Sequence, residues 1–419
     1  MSIASKLSYL NETKELLKNK INDLGGNIDD NDTFRSYVDF LDNIYKDYPK
    51  VEGEGTNITL ENTNIGKIQT ILKGQNYQIT SENEPSPDYP QPIESVQGLQ
   101  NIKIEDKNLF SDIIIGQTFR NQSDRNRALI YGKILPNTSY TISFGDNTGI
   151  DGLHYFEKAN KEDDTITYGT KLITTTTTKT TQNNSNWIGI QINKTNVTLE
   201  DVKNIKLQLE KGNTASSYVE HNEQNYNVNL NNIQINENEY IFKNEISSEH
   251  YDSNLDLDAY YYYKLKNKVI FDGTENWKFG TGNVFYVDNV TNYATSNNIP
   301  MSNYFKGITN VTGEGDGAFV TNDNVIAFIN ISGATTPRFY ICSSKFNSNV
   351  NTLKTWLTTH NIEVLYNQNV GEYIKITNEN LINNLNNLET AKSYDDTTLI
   401  STNGNLPVIL NAKALMKGV

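Results

Sequence analysis

From Val51 to the C-terminus the apolar residues come in short runs, most with a period of two, and nearly every run ends in Asn, Asp, Gly, Ser or Thr. A period of two sends alternate side chains to opposite faces of a pleated strand. A chain patterned this way builds antiparallel sheets with short connections. Strands are expected at TNITLEN (56–62) and GKIQTILKG (66–74), joined by a short turn, and at NIKIEDKNLF (101–110). RALIYGKI (127–134), TSYTISFG (138–145), GLHYFEKA (152–159), KLITTTTTKTTQ (171–182), NWIGIQINK (186–194) and NIKLQLEKG (204–212) read as one antiparallel unit. A second β region holds EYIFKN (239–244), AYYYYKLKNKVIFDG (259–273), WKFG (277–280), NVFYVD (283–288), NVIAFINIS (324–332) and RFYICSS (338–344). IEVLYNQ (362–368), YIKI (373–376), TTLIST (397–402) and LPVILNAKAL (406–415) complete it. Two short helices interrupt this region, at 351–361 with Leu353, Trp356 and Leu357 inward, and after Thr377 with Leu381, Leu385 and Leu388 inward.

The opening breaks the pattern. In SIASKLSYLNETKELLKNKINDLGG, Ile3, Leu7, Leu10, Lys14, Leu17, Ile21 and Leu24 recur at alternating steps of four and three. That is a heptad seam interrupted by Lys14, and Gly25 and Gly26 end the helix. A second helix is expected from Asp32 or Thr33 to about Lys46, with Phe34, Val38, Leu41 and Ile44/Tyr45 on one face. Two readings fit. Either the helices fold onto each other, or Ile3, Leu7, Leu10, Leu17, Ile21 and Leu24 form an oligomerisation or docking seam between chains.

The fold class that follows is mainly β, with a short N-terminal α-helical segment followed by antiparallel β-sandwich or jelly-roll domains. Its expected parts are a helical attachment segment (1–50), a β connector (51–107) containing the rigid SPDYPQPIESV, a β-sandwich (108–225) and a β-rich distal domain (226–419). A length of 419 residues fits several units. Aromatics at 10% argue against disorder, because such a chain has enough apolar surface to offset the entropy of ordering.

Several classes of function are disfavoured. A net charge of −14 with no basic stripe opposes nucleic-acid binding. No run approaches a membrane span or a signal peptide, so synthesis without an export signal is expected. Cys342 is the sole cysteine and is expected in a buried strand. His154, His221, His250 and His360 lie far apart, without metal-ligand spacing. GEGDGAF (313–319) lacks the strand-to-helix setting of a phosphate loop. Asp252, Asn254, Asp256 and Asp258 alternate as calcium ligands can, but without an EF-hand's glycine and distal glutamate, so a solvated acidic loop is favoured. No catalytic residue, cofactor or metal site is expected, and no pair of carboxylates is singled out for glycan hydrolysis.

Glycan binding is better motivated, because aromatic rings flanked by amides and hydroxyls suit the C–H faces and hydroxyls of sugars. Trp187 and Gln191 share one strand face opposite Ile188, Ile190 and Ile192. Trp187 is therefore a surface platform or packs under a second layer. Tyr260 to Tyr263 put rings on both faces of one strand, which nominates Tyr261 and Tyr263; Trp277 and Tyr286 are further candidates.

SKLSYLNETKELLKNKI with DTFRSYVDFLDNIY resembles the N-terminal helical module of tail and fibre proteins in phages of Gram-positive hosts. PSPDYPQPIESVQG with KNLF, and IKLQLEKGNTASSYVEH, resemble the entry and closing strand of a carbohydrate-binding-module-like sandwich in such proteins. VIFDGTENW, LKTWLTTHNIEVLYNQ and TNGNLPVILNAKAL are similar to their C-terminal part. The resemblance implies a virion-exposed tail fibre or baseplate component, a homotrimer attached to other virion proteins by its N-terminus, that contacts host cell-wall glycans. A purely architectural subunit and a wall-degrading enzyme are the alternatives.

Overall fold

The computed structural model describes residues 3–23, 28–37, 50–61, 65–78, 84–117, 127–162, 168–194, 196–288, 299–308, 321–329, 338–394, 397–403 and 408–416. The chain is mainly β, and its strands form a hub carrying two inserted units.

The hub is a pair of facing sheets. The larger runs Lys50–Gly55, Ile409–Met416, Ile65–Lys73, Tyr240–Lys243, Tyr260–Phe271, Ile362–Lys375 and Met301–Ser302. The smaller runs Glu223–Ile235, Ile93–Asp106, Thr397–Asn403 and Asn57–Glu61, with Asn76–Gln78 added beside Ile93–Ser95. Alternation explains the facing. Ile58 and Leu60 are buried while Asn57, Thr59 and Glu61 are exposed, and Ile102, Ile104, Ile68, Leu72, Leu410 and Ala412 join them in one core. Helix Glu379–Leu388 adds Leu381, Leu385 and Leu388 to that core; its N-cap is Asn378, one residue past the expected Thr377.

Residues 51–107 are therefore not a connector. Their strands pair with the last strands of the chain, Lys50–Gly55 with Ile409–Met416 and Asn57–Glu61 with Thr397–Asn403. TNITLEN and GKIQTILKG form no hairpin, because each lies in a different sheet. The strand expected at 101–110 begins earlier, at Ile93, and ends at Asp106.

The first insert leaves the hub at Asp106 and returns at Glu223, where the flanking strands are paired Glu105 to Glu223. Five strands (Tyr168–Ile173, Gly152–Lys158, Trp187–Asn193, Arg127–Lys133, Phe110–Gln117) face three (Thr177–Thr180, Ser139–Ser143, Gln208–Lys211). Ile130, Ile142, Tyr155, Ile188, Ile190, Ile192 and Leu209 fill the space between. The threonine run makes two strands, one in each sheet. Its second part pairs hydroxyls across the ladder, Thr178 with Thr141 at 3.0 Å and Thr180 with Ser139 at 3.1 Å.

The second insert leaves and returns through the pair Phe271 to Ile362. Its sheet (Lys278–Phe279, Val284–Val287, Arg338–Cys342, Val325–Ile329, Lys306–Gly307) packs Phe285, Ile326, Phe339 and Ile341 against helix Val350–Leu357 and against the far ends of the hub strands, at Phe271, Ile362, Val364 and Tyr366. Cys342 is buried here as expected, and burial pushes its thiol up to about 11. Trp356 is only half-buried, with His360 stacked on it at 4.5 Å.

At the N-terminus, helix Ile3–Asp23 divides the expected seam in two. Ile21 and Leu17 pack on Ile28 and Tyr37 of the same chain. Asn22 holds that return with paired bonds to Ile28, 2.8 Å from its N–H and 2.9 Å to its carbonyl. Leu7 and Leu10 stay 59% and 51% exposed, beside exposed Tyr9 and Leu16. Ile3 opens the helix. Leu24 and most of the expected second helix, apart from a turn at 34–37, lie outside the described residues, as does 313–319.

Candidate functional site

The strand Trp187–Asn193 pairs with Arg127–Lys133 on one side and Gly152–Lys158 on the other. Ile188, Ile190 and Ile192 point into the core of the first insert, so Trp187, Gly189, Gln191 and Asn193 lie on the opposite face. The register sets Gly189 beside Tyr131 and Phe156, and Gln191 beside Leu129 and His154. A Cβ on Gly189 would come within 2.2 Å of the Phe156 ring, so glycine lets that ring lie across the strand. Tyr131 meets Phe156 edge-on at 5.8 Å, and Leu129, Ile114 and Trp187 close the patch.

Trp187 is half-buried and packs on this patch, whose other members lie on neighbouring strands of the same sheet. Two lysines frame it. Lys161, ion-paired with Asp112, places its ammonium 5.8 Å from the Trp187 ring centre, and Lys158 lies at 5.8 Å from that of Tyr131. Such contacts contribute roughly 0.5–1 kcal/mol each at partly exposed positions. Next to the aromatic end, Gln191 is buried and donates to Asn193 Oδ1 at 2.5 Å. Burial, reinforced by the charge of Arg127, holds the neighbouring His154 below its ordinary range and favours a neutral ring. The face thus runs from an aromatic patch to a set of amide and imidazole groups. Tyr131, His154, Phe156 and Lys161 were missed in the sequence, although the alternation of GLHYFEKA and RALIYGKI carries the signal once Trp187 is placed outward.

The other candidates are dispersed. Tyr260 and Tyr262 face the hub core, and Tyr261 and Tyr263 the opposite side of that sheet. Tyr261 is buried there, covered by the stretch 244–259. Its hydroxyl accepts from the Asp256 N–H at 3.0 Å, so it offers no free ring. Tyr263 is half-buried in an aromatic array, 4.9 Å from Tyr240 and 5.2 Å from Tyr373. Trp277 is a core residue packed on Phe271, with its indole N–H donated to Glu275 at 3.1 Å, and is not a surface platform. Tyr286 is half-buried, stacked on Tyr340 and covered by the Arg338 guanidinium 4.6 Å from its ring centre.

The acidic stretch at 252–258 is organised by an amide. Asn244 Nδ2 donates to the carbonyls of Asp252, Leu255 and Asp256 at 3.1–3.2 Å, and its Oδ1 accepts from the Asp252 N–H at 2.9 Å. Those carbonyls converge on Asn244 rather than toward a cation. Among the described residues, Glu105, His221 and Glu223 bring three possible metal-ligand atoms together. Lys103 already places its ammonium 2.6 Å from Glu105 and 2.7 Å from Glu223, where a cation would sit. These groups form an ion-paired neck to the first insert.

No protein-family model, curated protein or solved structure matches this chain.

Proposed function

We propose that this protein is a non-enzymatic virion component of the tail fibre or baseplate type, which holds β-sandwich units toward glycans of the host cell wall. The observation that carries the reading is the face built around Trp187. An aromatic ring rests on a rigid apolar bed, with Asn193 and His154 along the same strands, the chemistry that recognises sugar C–H faces and hydroxyls. The exposed Leu7, Leu10 and Leu16 of the opening helix support attachment to copies of the chain, in a homotrimer, or to other virion proteins. Individual sites of this kind bind weakly, and several copies on one particle raise the effective concentration.

The test is retention of the full-length protein on purified cell-wall glycan, compared with Trp187→Ala. Stacking on one ring contributes about 1 kcal/mol, so retention is expected to fall roughly fivefold without loss of fold. Equal retention of the two proteins would defeat the reading. Light scattering of the same protein beside a Leu7→Glu, Leu10→Glu variant checks whether the exposed helix face holds copies together.

A purely architectural subunit is the second reading. It is favoured by the burial of Tyr261 and Trp277 and by the guanidinium over Tyr286, which leave few free aromatic platforms. No release of reducing ends from wall polysaccharide is expected under either reading.

A further inference from the structure

A cavity of ≈ 230 Å³ lies where the first insert meets the hub. Both sheets of the insert reach it. One sends Lys133, at the end of Arg127–Lys133, with Leu135 just beyond; the other sends Tyr140 and Lys211, which are paired across their strands. The hub contributes the outward positions of two strands of its smaller sheet. Asn57 stands opposite Ser401 there and Thr59 opposite Leu399, in alternation with the buried Ile58 and Ile400.

The polar groups of this wall are uncommitted and within reach of solvent. Lys133, Lys211, Asn57 and Thr59 are exposed and Ser401 is half-buried, and none of these side chains has a hydrogen-bond or ion-pair partner among the described residues. Glu105, the one carboxylate among the described lining residues, is held by Lys103 at 2.6 Å. The cavity therefore carries two unmatched ammonium groups in a chain whose net charge is −14. Apolar surface lies beside them. Leu135 is 41% exposed and Leu399 half-buried, and the Tyr140 hydroxyl accepts from the Leu135 N–H at 2.9 Å, which fixes that corner.

We propose that this junction cavity binds a small organic anion with an apolar body. Lys133 and Lys211 receive its carboxylate or phosphate, Leu135, Leu399 and the Tyr140 ring take the body, and Thr59 and Ser401 bond further oxygens. A neutral ligand would leave the ammonium groups unmatched, and a metal ion would meet them as like charges. Because the contacts come from the insert and the hub together, occupancy ties the first insert to the frame. The site does not depend on the Trp187 face binding a glycan.

Calorimetry and hydrogen exchange on the full-length protein test it, with benzoate and phenyl phosphate as probes at about 10 mM. Benzyl alcohol and inorganic phosphate are the controls that lack the charge or the apolar body. At least one of the two probes is expected to bind more tightly than either control, to raise the melting temperature of the first insert, and to slow exchange at 133–140 and 398–402. Lys133→Gln and Lys211→Gln are each expected to weaken that binding at least about fivefold, with the melting temperature of the free protein unchanged, since neither ammonium has an internal partner to lose. No binding of either probe, a control bound as tightly, equal binding by either variant, or protection elsewhere in the chain would each overturn the site. Lys133 also stands opposite Trp187 in the ladder. Loss in Lys133→Gln and Trp187→Ala with Lys211→Gln unaffected would therefore move the anion to the Trp187 face and overturn the cavity. A lower melting temperature in both lysine variants without ligand would do the same, because the ammonium groups would then be matched within the fold.

Discussion

The two inserts hang from the hub in the same way but complete their cores differently. The first closes Ile130, Ile142, Tyr155, Ile190 and Leu209 between two sheets of its own. The second packs its sheet on helix Val350–Leu357, and takes its remaining layer from the hub strands through Phe271, Ile362, Val364 and Tyr366. A unit that owns both layers can lose its packing alone. A unit that borrows a layer transmits its loss to the lender, because the same two strands carry Tyr260, Tyr262 and Ile376-adjacent backbone into the hub core.

That contrast is open to direct attack. The largest effect is expected from Phe339→Ala, which removes a fully buried ring and costs about 3–5 kcal/mol. Calorimetry is expected to show the second insert and the hub melting together at a lower temperature. Ile190→Ala costs about 2–5 kcal/mol in the first insert and is expected to split the transition, with the hub unmoved. A single shared transition in both variants would remove the distinction.

A smaller effect is expected at the neck of the first insert. Asn108 is buried there. Its Nδ2 donates to the carbonyls of Leu207 (3.2 Å) and Val219 (2.9 Å), and its Oδ1 accepts from the N–H groups of Phe110 and Leu209 at 3.2 Å. Asn108→Ala leaves those groups unpaired at a cost of about 2–3 kcal/mol. Hydrogen exchange is expected to quicken at 207–210 and 219–222 while the hub amides keep their protection.

The smallest effect follows pH at the same neck. Partial burial pushes Glu223 up, but hydrogen bonds from Lys103 and Asn225 outweigh it and hold the carboxyl down to about 2, below its ordinary 4.5. A carboxylate depressed in the folded state stabilises above the unfolded value, and that contribution is lost as pH falls from about 4.5 toward 2. Protection of the neck amides is expected to decline across that window, and Glu223→Gln to flatten the decline.

Much of this was legible in the sequence. The alternation in NWIGIQIN set Ile188, Ile190 and Ile192 on one face and Trp187 and Gln191 on the other, but did not show that Gly189 and Gln191 would be buried as well. Pairing was not legible. Asn57–Glu61 finds Thr397–Asn403 almost the whole length of the chain away, and nothing in either segment names the other. Tyr261 went astray for a different reason. The polar stretch 244–259 looks like a solvated loop, yet Asn244 gathers its carbonyls and folds it over that ring. Trp277 stands before a two-residue strand with no periodicity to orient it, and its packing on Phe271 is purely tertiary.

Both inserts begin and end on directly paired residues, Glu105 with Glu223 and Phe271 with Ile362. Partners across an antiparallel ladder have Cα atoms about 4.5–5.5 Å apart, so the first interruption, whose core is its own, asks only that a replacing cassette have adjoining termini. Exchange of the first insert can thus leave the frame beneath unchanged, whereas the second is tied in further, through Met301–Ser302 in the hub sheet and the shared layer at Phe271, Ile362, Val364 and Tyr366.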